Sequence, residues 1–191
     1  MTFKTKTISL FAIAAFLNGC SAEKHQQFNG ISINGSVEQF TDKLAKNGFA
    51  DPRPVESNQI SLKGKFVGKD CEVFVYGTDS TRTAYKVKVD LPVVNSDSLQ
   101  STYEKCQELC SSLHGPGTKR YQQFNNSSRF LFNEPKSEKE IKTGDYTRYT
   151  TKTGTIYLVV KREFISVIFL DRINYELKQK ESPSEDTEYP N

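Results

Sequence analysis

The chain has 191 residues, enough for one domain or two small tandem units and too few for a large multidomain enzyme. Hydrophobic residues make up 36%, aromatics 12% and charged residues 26%, the composition of a folded chain rather than a disordered one. The net charge is +3, from 26 basic and 23 acidic residues; two of the bases, Lys4 and Lys6, lie in a leader segment, so the remainder is close to neutral and offers no electrostatic case for nucleic acid.

Lys4 and Lys6 form a short basic region, and Ile8 to Leu17 is an apolar run interrupted only by Ser9. Ten helical residues reach about 15 Å, half of a bilayer core, so residues 1–19 are expected to be a signal peptide and not a transmembrane helix. The run ends in Leu17-Asn18-Gly19-Cys20, which resembles the bacterial lipobox. That resemblance implies a diacylglycerol on the Cys20 thiol, cleavage before Cys20 and a palmitate-bearing lipoprotein tethered to a membrane. Two or three acyl chains, at about 0.8 kcal/mol per buried CH₂, anchor firmly. Ser21 after the cysteine resembles the residues that permit export to the outer membrane of enteric bacteria. The segment from Ser21 to Gln27 lacks an acidic run, which favours the periplasmic side. Residues 20–29 read as a polar tether.

Asn34-Gly35-Ser36 is a turn, with Ser36 as N-cap and Gln39 completing a capping box. Val37, Phe40 and Leu44 mark one face of a helix that Asn47-Gly48 closes, with Phe49 folding back. Asp51 to Asn58 is expected to be a proline-containing loop. A meander follows: Ile60, Leu62 and Phe66; a hairpin at Gly68-Lys69-Asp70; Cys71, Val73 and Val75 opposite Glu72, Phe74 and Tyr76; then Tyr85, Val87, Val89 and Leu91 alternating with Lys86, Lys88 and Asp90. Asp97 or Ser98 caps a second helix whose stripe is Leu99, Tyr103, Cys106, Leu109, Cys110 and Leu113, and Gly115-Pro116-Gly117 ends it. Strands are predicted at Phe130–Phe132, Tyr146–Thr151, Thr155–Lys161 and Ile165–Leu170. Thr153-Gly154 and Arg162-Glu163 mark hairpins. Ile173 and Leu177 predict a short closing helix, and residues 178–191 a disordered tail.

The fold class expected is α+β: two layers, built from two α-plus-antiparallel-meander units with helices on one face of a curved sheet. The domain spans residues 30–177, with repeats at 30–92 and 93–177. The turns are too short for parallel crossovers.

The run from Phe28 through Gly30, Ile31, Ile33, Gly35, Ser36, Phe40 and Leu44 to Gly48-Phe49 resembles a group of uncharacterised Bacteroidetes envelope lipoproteins. Leu62-x-Gly64-x-Phe66-x-Gly68, Cys71-x-Val73-x-Val75, Thr153-Gly154-Thr155-Ile156 and Ile168-x-Leu170-Asp171 fit the same pattern. These motifs are structural and bring no activity with them. At fold level the helix-plus-meander repeat is similar to the β-lactamase inhibitor protein and to the small lipoprotein of the outer-membrane barrel assembly machine, both protein-binding folds.

Beyond Cys20 there are three thiols. A Cys71–Cys106 or Cys71–Cys110 bridge is geometrically open, worth about 2–4 kcal/mol; the alternative is three small buried hydrophobes. Cys106, Cys110 and His114 recur every four residues, a spacing that invites zinc or a Cys–His nucleophile. No second ligand pair and no orienting carboxylate accompany them, so core cysteines and a His114 at a helix C-terminus are the better reading. No nucleophile elbow, zinc-protease, phosphate-loop or dinucleotide motif is present. Glu104, Glu108, Glu134 and Glu138 fall on predicted solvent faces. Asp79-Ser80-Thr81 and Asp97-Ser98-Leu99 resemble the O-glycan acceptor of secreted Bacteroidetes proteins, Ser80 being the better placed. The expectation is a non-enzymatic, lipid-anchored envelope protein that needs no cofactor or metal and binds another envelope protein through a surface at Phe74, Tyr76 and Tyr157, with Val159 beside them. A binder of a small glycan or lipid fragment is the alternative, and a hydrolase with scattered carboxylates is less supported.

Overall fold

A computed structural model describes residues 24–93, 96–120, 146–161 and 164–182. Among these it is a mixed α/β protein with three helices and a large antiparallel sheet. A two-stranded hairpin, β1 (Gln27–Phe28) and β2 (Ile31–Ser32), precedes helix α1 (Val37–Ala45). Four strands follow: β3 (Ala50–Glu56), β4 (Gln59–Phe66), β5 (Lys69–Gly77) and β6 (Ala84–Pro92). Helix α2 (Ser96–His114) leads to β7 (Thr118–Arg120), β8 (Tyr146–Thr150), β9 (Gly154–Val160) and β10 (Phe164–Asp171), and α3 (Arg172–Glu181) closes the described chain. The eight strands run in the order β3-β4-β5-β6-β10-β9-β8-β7.

Local chemistry explains the elements. Ser36 Oγ accepts from the Gln39 amide while the Gln39 side chain accepts from the Ser36 amide, a complete capping box. At the other end of α1, Gly48 adopts φ 91°, its amide donates to the Ala45 carbonyl and the Phe49 amide to that of Leu44. Phe49 then folds back as expected and packs on Gly64 and Phe28. Val67 and Gly68, both at positive φ, make the two-residue turn between β4 and β5, so Lys69 and Asp70 belong to the strand.

Alternate strand residues enter two apolar clusters. The larger joins Val73, Val75, Val87, Val89, Ile156, Leu158, Ile165 and Val167 to Val37, Phe40 and Leu44 of α1 and to Leu99, Tyr103, Cys106 and Cys110 of α2. The smaller holds Tyr85, Tyr146, Tyr157, Val159, Ile168 and Leu170, with Tyr76 and Tyr175 against it.

Several expectations are corrected. Asp51–Asn58 is not a loop: Ala50–Glu56 is an exposed edge strand, irregular in register, where Pro52 and Pro54 are tolerated because an edge residue need not donate to a neighbour. Tyr85 does not share a side with Val87. Tyr76 pairs with Lys86 and Gly77 with Ala84, so Tyr85 is the extra residue of a bulge and turns toward Tyr175. Helix α2 begins at Ser96, so Asp97 and Ser98 both lie inside it and neither is its cap; Leu113 leaves the buried stripe, 67% exposed. The closing helix runs past Leu177 to Glu181, so the tail does not begin at 178. The strand expected at Phe130–Phe132 lies outside the described residues, as do Glu134, Glu138 and the Arg162-Glu163 hairpin.

Candidate functional site

A cleft of about 820 Å³ opens at one end of the strands. Phe164, Pro92, Gly64 and Cys71 line it together with Lys63, Lys65, Asp70, Glu72 and Asp90. Register brings the charges together: Lys63 lies opposite Glu72, and Glu72 opposite Asp90. Two carboxylates side by side repel, and the fold offsets this at Asp90, which accepts from Lys88 Nζ at 2.8 Å and from Ser166 Oγ at 2.6 Å. Lys88 also lies over the Phe74 ring at 4.8 Å and near that of Phe164 at 5.9 Å. The volume suits a small ligand, and although five charged residues line the cleft, the wall it presents is mostly apolar, as in ligand pockets.

The proposed binding surface is divided by the structure. Phe74 and Tyr76 are half-buried, each under a lysine ammonium, with Lys86 Nζ at 4.1 Å from the Tyr76 ring. Tyr157 and Val159 are buried, 3% and 5% exposed, so neither is a surface residue. Burial pushes the Tyr157 hydroxyl up to about 12 despite the nearby Arg148 guanidinium. Tyr146 of β8 meets Tyr157 of β9, ring centroids 5.9 Å apart, because Tyr157 and Arg148 are register partners and Tyr146, two residues before Arg148, lies on the same side.

Cys71, Cys106 and Cys110 are free and buried, the second of the two alternatives that the sequence left open. The reason lies in the strand order. Helix α2 packs over β8, β9 and β10, whereas Cys71 is on β5, separated from β10 by β6. Burial pushes the Cys71 thiol up to about 11 and those of Cys106 and Cys110 up to about 12. A nucleophilic or metal-binding cysteine needs the opposite shift, toward thiolate. Burial lowers the pKa of His114, and among the described residues no group of three or more His, Cys, Asp or Glu side chains could hold a metal ion.

The strongest polar construction was missed by the sequence reading, which placed it in the tether. Asp171, fully buried, caps α3 by accepting from the Asn174 amide at 2.9 Å. The same carboxylate accepts from the Gln26 amide at 2.7 Å and lies 3.2 Å from His25 Nδ1. Gln26 is 1% exposed, and its Oε1 accepts from Thr151 Oγ1 at 2.8 Å and Thr153 Oγ1 at 2.9 Å. Phe28 follows into the core against Phe49, Phe66 and Phe169. Hydrogen bonds therefore join His25 and Gln26 to the body, and residues 25–29 are not tether. The available signal was Phe28, an aromatic just before the Asn29-Gly30 turn.

Cys20 lies outside the described residues. Ser80 is exposed in the loop between β5 and β6, its amide donating to Glu181 Oε2 at 2.8 Å. No helix among the described residues is long and apolar enough to cross a membrane. Glu104 and Glu108 are exposed, as expected. Comparison with protein-family models, with curated proteins and with solved structures finds no match to this chain.

Proposed function

We propose that the chain is a lipid-anchored cell-envelope protein, acylated at Cys20, whose folded body is a non-enzymatic module that binds another envelope protein from the periplasmic side of the outer membrane. The observation that carries the reading is the Leu17-Asn18-Gly19-Cys20 motif placed five residues before the first pinned side chain, His25. Support for a non-catalytic role of the cysteines comes from their burial, which holds all three in the thiol form.

We read the body as two helix-plus-meander units. Each half runs helix, then four antiparallel strands, and the last strands of the halves, β6 and β10, pair antiparallel at the centre. The contribution of α1 and α2 to one cluster with the same strand residues supports helices on a common face. The partner surface is centred on Phe74 and Tyr76 and the lysines over them. Ser80, exposed beyond it, is the proposed O-glycan acceptor.

The test is crosslinking in intact envelopes with a photoreactive side chain at position 74. One protein recovered with wild-type chain and lost on Tyr76→Ala supports the reading; no adduct above background overturns it. The cleft's volume favours a second reading, a small glycan or lipid fragment held near Phe164.

A further inference from the structure

We propose that the end of the body where the chain enters, framed by Lys24, Lys152 and Arg172, rests on anionic phospholipid headgroups, so that the cleft at the other end of the strands points away from the bilayer. The inference rests on acylation of Cys20. It starts from the hydrogen bonds that fix His25 and Gln26 to Asp171, Thr151 and Thr153. Four residues lie between Cys20 and His25, a span of five Cα steps. A fully extended chain gains at most about 3.6 Å per residue, so the free span is under about 20 Å, part of which lies in the headgroup layer. A body tethered that closely has its entry end within reach of the membrane's surface potential, which decays over about 8 Å.

The charges at that end have the matching sign. Lys24 adjoins His25; Lys152 sits between the two threonines that hold Gln26; the Arg172 amide donates to the Thr153 carbonyl at 3.0 Å. All three side chains are exposed, and among the described residues no ion pair engages any of them. The carboxylate beneath them, Asp171, is buried and turned to His25 and the Gln26 amide. Of the other acids at this end, Asp79 is paired with Lys178, Glu38 with Arg82, and Glu181 accepts from the Ser80 amide, whereas Glu176, one turn along α3, and Glu56, across the sheet at the end of β3, are exposed with no ion pair among the described residues. Each basic residue near an anionic leaflet raises attachment roughly fivefold. Antiparallel strands place the opposite end far away: β10 runs from Phe164, in the cleft, to Asp171, about 25 Å over its length.

The acylated full-length chain in liposomes tests this. A fluorophore is attached at Lys152→Cys or at Lys65→Cys, both exposed, and quenched by headgroup-nitroxide lipid, in phosphatidylcholine with or without phosphatidylglycerol. The expected result is strong quenching at 152, little at 65, and a drop at 152 when Lys24→Gln and Arg172→Gln are combined in the anionic vesicles. Equal quenching at the two positions in chain that floats with the vesicles overturns the orientation while leaving the anchor intact. Quenching at 152 that ignores both phosphatidylglycerol and the double substitution overturns the role of the charges. A chain that does not float overturns the anchor, and the orientation with it.

Discussion

The Gln26 amide donates to Asp171 Oδ2 at 2.7 Å, which ties the entry of the chain to the junction of its last strand and last helix. Asp171 serves three partners, the Gln26 amide, the Asn174 amide and the His25 ring, while fully buried. Asp171→Ala removes a helix cap and orphans buried donors, and is expected to cost about 2–4 kcal/mol in urea unfolding. His25→Ala, at a half-exposed site, costs under about 1 kcal/mol. A loss below about 0.5 kcal/mol for the aspartate variant contradicts the clasp.

Asp79 accepts from Lys178 Nζ at 2.7 Å and Ser182 Oγ at 2.6 Å. The Lys178 hydrogen bond, then that of Ser182, holds the carboxyl below the ordinary aspartate value of 3.8. A carboxylate with a lowered folded-state pKa stabilises above its unfolded pKa and loses that contribution as pH falls through the folded one. Amide exchange at the end of α3 is therefore expected to accelerate relative to the core below about pH 4. Asp79→Asn brings the faster exchange to neutral pH and flattens the acid response. An unchanged pH profile in that variant rules out the clasp between loop and helix.

Two glycines report on packing. A Cβ at Gly154 would lie 1.8 Å from the Leu170 carbonyl oxygen, a backbone atom of the neighbouring strand. At Gly64 it would meet the Phe49 ring at 2.2 Å, a side chain that can turn. Gly154→Ala is expected to cost about 3 kcal/mol or more and Gly64→Ala about 1–2 kcal/mol, read from thermal or urea midpoints. The reverse order contradicts the register of β9 against β10.

Thiol titration separates core cysteines from a bridge. A Cys20→Ser chain is expected to show three thiols in denaturant with or without reductant, and slow reaction when folded, because all three are buried and held in the thiol form. One thiol without reductant restores the disulfide.

Much of the fold was legible because its period is strong. Val73 and Val75, or Val87 and Val89, alternate without exception, and Ser36-x-x-Gln39 announces a helix start on its own. What escaped depends on tertiary partners. Pro52 and Pro54 look like loop residues until a neighbouring strand makes Ala50–Glu56 an edge. Tyr85 follows the alternation in sequence, but one bulge turns it over. Tyr157 alternates as a solvent-side aromatic yet is buried beside Tyr146. His25 and Gln26 form their site with a residue about 145 positions away, which no local pattern encodes.

The anchor itself is tested most directly by metabolic labelling with palmitate of the full chain and of Cys20→Ser in a bacterial host. The account predicts label in the wild-type chain, recovered with membranes, and none in the variant. An unlabelled wild-type chain found in the cytosol contradicts it.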